Sequence, residues 1–290
     1  MRIFLYLCNM KNGLILEGGG LRGLFTAGIL DSWMDHDLHF DGIIGVSAGA
    51  LFGCNFKSRQ KGRALRYNVR LKDDPRYMSL RSFIKTGNYI GGEFAYHVVP
   101  TEIDPFDDAT FCQDPTPFFV VATDVDTGLP VYHQIEHVDY EGLEWMRATG
   151  SLPIVSTPVE LEGRRYLDGG VSDSIPLKHF QQQGYERNVI ILTRPRGYLK
   201  KPSNMPWLYR LACRKYPKIA DAMIRRHEMY NQEIEYILEQ EKLGNVLLVF
   251  PDENLNIGRT EMNEEKMRAI HQAGLEKGTE TIEKIKEFLS

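Results

Sequence analysis

The sequence predicts an α/β fold built around a mainly parallel sheet. Three observations predict it. Apolar runs of strand length occur at residues 14–16, 40–46, 118–123 and 188–193. A segment of helical periodicity separates the first two runs, which is the βαβ grammar of a parallel sheet. Glycine-rich turns close the same two runs, at 18–20 and 45–49.

The elements follow in order. Residues 14–16 read as a buried strand that the glycine loop ends. Leu24, Phe25, Gly28, Ile29 and Trp33 recur at helical spacing and predict a helix over 24–34. Residues 40–46 are the next strand, and the small residues of 48–53 start a second helix. A strand at 118–123 meets the turn Asp126-Thr127-Gly128, with a hairpin partner at 130–134. A helix is expected at 140–148. Two short strands flank Glu162-Gly163 and lead into Asp168, and a helix starts near Pro176. Beyond Pro195 the character changes. Residues 194–218 carry basic side chains and no acid, interleaved with Tyr198, Trp207, Tyr209 and Tyr216. Helices over 219–242 and 264–289, with a strand at 246–250, complete the chain. The expected division is a catalytic domain over 1–195 and a mostly helical extension over 196–290.

Composition sets bounds. A chain of 290 residues, 42% hydrophobic and 26% charged, buries an ordinary globular core without a metal or disulfide staple. The net charge of −4 argues against general nucleic-acid binding. Cys8, Cys54, Cys112 and Cys213 form no C-x-x-C, so neither a zinc site nor a disulfide framework is indicated, and a reducing cytoplasm is the expected location. Residues 1–8 hold an apolar run shorter than a signal segment, with no small-residue cleavage site. Met10 makes a sensible start, so residues 1–9 read as a short extension. No run approaches the ~20 apolar residues of a membrane span.

The chemistry centres on Gly45-Val46-Ser47-Ala48-Gly49. A strand, a sharp turn and a helix put such a serine at the tip of a strained bend with its hydroxyl exposed. The flanking Gly45 and Gly49 let strand and helix backbones approach. Two further segments accompany it: Glu17-Gly18-Gly19-Gly20-Leu21-Arg22-Gly23 and Asp168-Gly169-Gly170. In this order, with Ala148-Thr149-Gly150-Ser151-Leu152-Pro153 between, they resemble the patatin-like phospholipases, a family of lipid acyl hydrolases. The resemblance covers about the first two-thirds of the chain. It implies a three-layer α/β/α fold, Ser47 as nucleophile and Asp168 as its sole side-chain base. The loop Gly18, Gly19, Gly20, Leu21 and Arg22 is the implied oxyanion hole. It implies a lipid ester substrate and neither metal nor organic cofactor. The chain departs from the family pattern at Glu17, usually Asp, and at Ser174, often Asn.

The physical reading runs beside the resemblance. Ester cleavage needs a nucleophile, a proton acceptor and a place for negative charge. A desolvated carboxylate within reach of a serine accepts its proton as attack proceeds. Glycines aim several backbone N–H groups at one point. Arg22 either adds positive charge at the mouth of the site or pairs with a surface acid. Three alternatives stand. Gly18 to Gly23 also fits the G-x-G-x-x-G of dinucleotide sites, with Asp35, Asp37 and Asp41 as ribose-binding acids. His179 or His133 would complete a triad. A silent scaffold would use the basic aromatic stretch 194–218 to dock on anionic lipid at the inner membrane surface. Asp104, Asp107 and Asp108 read as a turn and helix cap rather than a metal site.

Overall fold

A computed structural model describes residues 10–36 and 38–290. The readings of residues 1–9, Cys8 included, and of Asp37 lie outside the described residues. The order is β1 (Lys11–Leu16), a 3-10 turn (Gly20–Arg22), α1 (Gly23–Met34), β2 (Gly42–Val46), α2 (Ala48–Lys57), α3 (Arg63–Arg70) and α4 (Leu80–Thr86). A π-helical segment (Phe94–Ile103), α5 (Asp108–Gln113), β3 (Phe118–Asp124), β4 (Pro130–Ile135) and α6 (Tyr140–Gly150) follow. Then come β5 (Val159–Leu161), β6 (Arg164–Asp168), a 3-10 turn (Gly169–Val171), α7 (Leu177–Gln182) and β7 (Tyr185–Ile191). The chain ends with α8 (Pro206–Ala212), α9 (Pro217–Lys242), β8 (Val246–Val249) and α10 (Glu264–Leu289).

The sheet runs β5-β6-β3-β2-β1-β7-β8, with β4 paired to β3. The five strands from β3 to β8 are mutually parallel, and β4, β5 and β6 join antiparallel at one end. Side chains of a strand alternate between faces, and here both faces are apolar. Leu14, Leu16, Ile43, Val120, Val189 and Leu247 pack on one side among α1, α2, α6 and α10. Ile15, Ile44, Val121, Ile190 and Leu248 pack on the other with Phe180 of α7 and Tyr230 and Ile237 of α9. This double burial explains the continuous apolar runs and gives the three-layer α/β/α arrangement.

Local chemistry fixes several helix starts. Asp107, Asp139 and Asn263 each accept a backbone N–H of the first turn of α5, α6 and α10. The cap at Asp107 accounts for one acid of the 104–108 cluster; Asp104 is buried and paired with Arg63 and Arg66. The sequence gives little sign of α3, α4, the π segment or α8. These are short, and the buried face of α3 includes the polar Arg63 and Asn68 beside Ala64 and Tyr67. The residues beyond 196 do not sit apart from the sheet: β8 extends it beside β7, and α10 lies along α1. Cys54, Cys112 and Cys213 are free thiols. No helix among the described residues is long and apolar enough to cross a membrane.

Candidate active site

β1 lies between β2 and β7, so the chain builds β2 and β3 on one side of it and β7 and β8 on the other, and a crevice opens at the carboxyl ends of β1 and β2. The glycine loop follows β1 and Ser47 follows β2 at this edge. Ser47 has φ 53° and ψ −125°, in the region a side chain avoids. Serine at a helix start ordinarily caps a backbone N–H, but the Ser47 hydroxyl makes no such bond to α2. It is left for other chemistry. The bend is held from behind. The Ser47 amide donates to Thr149 Oγ1 at 2.9 Å, and that hydroxyl donates to Val121 O at 2.6 Å. A Cβ on Gly49 would lie 2.3 Å from Leu16 O, and one on Gly45 2.5 Å from Ala50 N, so the elbow demands both glycines.

Strand register brings Asp168 to the same level. Val46 pairs with Val121, and the next residue of β3, Ala122, pairs with Asp168. Backbones two strand spacings apart, about 10 Å, are within reach of two facing side chains. Asp168 caps the turn Gly169–Val171, its Oδ1 accepting the Gly170 amide at 2.8 Å. Its own amide donates to Ser151 O at 2.8 Å. Gly169 has no room for a side chain, since a Cβ would lie 2.1 Å from Val121 O. Asp168 Oδ2 is buried without a well-formed hydrogen bond. Burial raises the Asp168 pKa, while the nearby Ser47 hydroxyl, Arg226, the Gly170 amide and Arg259 pull it back. The serine thus lies close enough to favour the carboxylate without a settled bond to Oδ2, as resting catalytic pairs often do.

The glycine loop completes the crevice. A Cβ on Gly18 would lie 2.9 Å from the Ser47 Cβ, so loop and elbow are in direct contact. Gly18, Gly19, Gly20, Arg22, Ser47, Asp168 and Gly170 line one polar cleft. Among the described residues the amides of Gly18, Gly19 and Gly20 make no backbone hydrogen bond. One sequence expectation changes here, and one pair of alternatives is decided. The Leu21 amide is engaged, donating to Arg259 O at 2.9 Å, and so is removed from the available donors. Arg22 is not on the surface pairing with an acid; it is buried in the cleft, and burial with Arg194 and Arg259 nearby pushes its pKa down to about 10. Gly23 packs against Ala48 and Phe52, joining α1 to α2.

The residues at which the chain departs from the family pattern are structural links. Glu17 accepts the Thr193 amide at 2.6 Å and the Tyr230 hydroxyl at 2.9 Å, tying the loop to the end of β7 and to α9. Ser174 donates to Gly170 O at 3.0 Å.

Ser47 sits where the polar cleft meets an apolar one. The second cleft is partly open, and its walls include Leu51, Phe52, Tyr96, Val99, Leu143 and Met146. Neither cleft is lined by a histidine. His179 stacks on Tyr132 at 3.5 Å and His133 on Trp145 at 4.0 Å. Asp41, the ribose-binding candidate, precedes β2 and accepts the Asn12 amide at the start of β1, at the opposite end of the strands from the glycine loop. Asp35 pairs with Lys61. Asp108, Cys112 and His137 place ligand atoms within 4.8 Å of one another, but they line neither cleft.

Several residues of the site carry no signal in the sequence. Arg226 of α9 and Arg259, from the loop between β8 and α10, reach the cleft from the far end of the chain. Thr149, by contrast, lies in the segment 148–153 that the sequence singles out, but its support of the elbow rests on hydrogen bonds that only tertiary packing creates. Of the basic stretch 194–218, Arg194, Tyr198 and Lys200 turn into the cleft rather than outward.

Fold and cleft together define a three-layer α/β protein in which a strained elbow serine, a glycine loop and a buried aspartate meet at one crevice. The chain belongs to the patatin-like phospholipase family, whose profile matches residues 14–180. A second profile, a domain of unknown function, matches residues 216–290. YjjU of Escherichia coli K12, an uncharacterised protein, is 29% identical over 233 residues, covering 78% of this chain and 64% of YjjU. Lysophospholipase nte1 of Aspergillus oryzae is 26% identical over 185 residues, covering 61% of this chain and 11% of that enzyme. The chain therefore spans less than two-thirds of these relatives. VipD of Legionella pneumophila aligns in three dimensions with a TM-score of 0.44 at 12% identity, covering 95% of this chain and 67% of that one.

Proposed function

We propose that the protein is a serine hydrolase of lipid acyl esters. The observation that carries this reading is the strained Ser47 beside a buried carboxylate whose Oδ2 has no settled partner. In the reaction Ser47 Oγ attacks the ester carbonyl carbon and its proton passes to Asp168 Oδ2. The carbonyl oxygen becomes an oxyanion, held by the amides of Gly18, Gly19 and Gly20. Each such donor is worth about 3 kcal/mol in the transition state. The ester C–O bond then breaks, and the alcohol leaves with the proton from Asp168. Water attacks acyl-Ser47, gives a proton to Asp168, and the fatty acid departs as Ser47 regains its own. The apolar cleft takes the acyl chain. The lysophospholipase names among the relatives support a phospholipid or lysophospholipid as the substrate.

In this reading the carboxylate acts without a histidine, and the absence of one from either cleft among the described residues supports it. The test is hydrolysis of a mixed lipid ester set, read by mass spectrometry, with fluorophosphonate labelling of the serine. Ser47→Ala and Asp168→Asn lower kcat/KM by about 10³-fold or more, whereas His179→Ala and His133→Ala retain most activity. Equal loss in His179→Ala sinks the dyad, and an unlabelled Ser47 with no released acid points to a silent lipid-binding scaffold.

The protein also docks on membrane surfaces through α8. Trp207 and Leu211 are 60% and 61% exposed one helical turn apart, beside the exposed Arg210 and Arg214. Apolar and aromatic side chains among cations suit an anionic headgroup layer.

A further inference from the structure

The polar cleft holds more positive charge than the reaction uses. Five cations line it: Arg22, Arg194, Lys200, Arg226 and Arg259, against the two carboxylates Glu17 and Asp168. Four of the five come from the chain beyond residue 193. Both carboxylates already have work, Glu17 in its bonds to Thr193 and Tyr230, and Asp168 beside the serine. Among the described residues none of the five cations forms an ion pair within 4.0 Å. Arg226 donates to Gly170 O. Arg194 lies over the Tyr198 ring at 4.6 Å and Lys200 over the Tyr230 ring at 4.3 Å. The buried Arg22 Nε has no hydrogen-bond partner.

Clustered cations repel one another and favour an anion among them; here Arg22 is buried, Arg194, Lys200 and Arg226 are half-buried, and Arg259 is exposed at the rim. Burial, with Arg226 and Arg259 next, pushes the Lys200 ammonium down to about 7. The cleft is partly open to solvent, so a headgroup can enter it from outside. It shares Ser47, Gly20 and Arg259 with the apolar cleft. An ester seated with its acyl chain in the apolar cleft therefore directs its alcohol part among the cations. A zwitterionic headgroup is poorly served. Its ammonium would need an aromatic face or a free carboxylate, and the two tyrosine rings of the cleft are already covered by Arg194 and Lys200.

We propose that Arg194, Lys200, Arg226 and Arg259 form a headgroup subsite selecting acyl esters of net-negative phosphate-bearing alcohols over zwitterionic and neutral ones. This inference rests on the acyl-hydrolase reading above. The test compares lysolipids of one acyl chain below their micellar concentration: 1-acylglycerol 3-phosphate, lysophosphatidylglycerol, lysophosphatidylcholine and the neutral monoacylglycerol. The expected result is a kcat/KM at least ten-fold higher for the two anionic esters than for the other two. In Lys200→Met and Arg194→Gln the ratio of anionic to neutral kcat/KM falls about ten-fold. A wild-type enzyme that hydrolyses all four at similar rates overturns the subsite and leaves the hydrolase reading intact. So does a pair of variants whose rates fall in parallel, because a structural role gives that pattern. Inorganic phosphate is added in a separate arm. Inhibition of monoacylglycerol hydrolysis by millimolar phosphate, without headgroup discrimination, assigns the cations to a free anion and overturns the headgroup role. If no ester is cleaved, the hydrolase reading fails by itself. Calorimetry with Ser47→Ala then decides the subsite, which predicts tighter binding of 1-acylglycerol 3-phosphate than of monoacylglycerol.

Discussion

At the scale of single residues, Ser47 and Asp168 were readable because each lies in a motif whose backbone constrains it. Glycines at 45, 49 and 169 stand where the chain leaves no room for a Cβ, and that requirement prints itself in the sequence. The cations had no such print. Arg226 looks like any helix-surface arginine, and Arg259 sits in an unremarkable loop; only long-range packing aims them at the cleft. The same cations shape the pH response. Burial holds the Asp168 pKa above the usual carboxylate value, and Arg226 and Arg259 oppose that rise. A base must be ionised, so kcat/KM for an uncharged ester falls as pH drops through the folded pKa of Asp168. The midpoint of this acid limb lies above ~3.9, the value of a free aspartate. Arg226→Gln removes a charge that favours the carboxylate, so its midpoint moves up. A wild-type profile flat down to pH 4, or a downward shift in the variant, contradicts Asp168 as the base.

At the scale of elements, the regular strands and the long helices follow from apolar periodicity, because burial on both sheet faces leaves a clear pattern. Short helices did not. α8 buries no residue, so nothing in the core dictates its sequence, and its exposed Trp207 and Leu211 ask for another explanation. The stretch 194–218 reads as one basic aromatic surface, yet it divides in space. Arg194, Tyr198 and Lys200 face the cleft, whereas α8 faces outward. The two halves predict different measurements. In co-sedimentation with vesicles containing phosphatidylglycerol, Trp207→Ala and Leu211→Ala weaken binding several-fold. Binding by the parent protein declines between 50 and 500 mM salt as the lipid charge is screened. Hydrolysis of a monomeric short-chain ester is the control, because it needs no surface. Vesicle binding that ignores both salt and Trp207 removes α8 as a membrane contact.

At the scale of the whole molecule, the residues beyond 195 read in sequence as an extension, and their profile match is separate from that of the patatin-like segment. Their contacts argue for one folding unit. β8 completes the parallel sheet, Arg259 reaches the glycine loop, and α10 runs against α1 with almost no gap. Gly28 of α1 and Gly274 of α10 meet so closely that a Cβ on Gly274 would lie 2.2 Å from Phe25 O and 3.0 Å from the Gly28 Cα. Around them a buried Asp31–His271 contact at 2.7 Å and a bond from Trp33 Nε1 to Gly278 O at 3.2 Å stitch the helices together. This makes Gly274→Ala a discriminating variant. Alanine favours an isolated helix by about 1 kcal/mol, so an appended domain would gain stability or stay unchanged. In one shared core the methyl has only backbone to push against, and overpacking of that kind costs about 1–3 kcal/mol. The expected result is a lower midpoint in urea for a single transition, seen alike by tryptophan fluorescence and by loss of ester hydrolysis. Since α1 begins just after the glycine loop, separating the two helices also disturbs Gly18 to Gly20, and activity is lost along with structure rather than after it. Two transitions, with activity following only the one that Gly274→Ala leaves in place, would mean that the extension folds by itself.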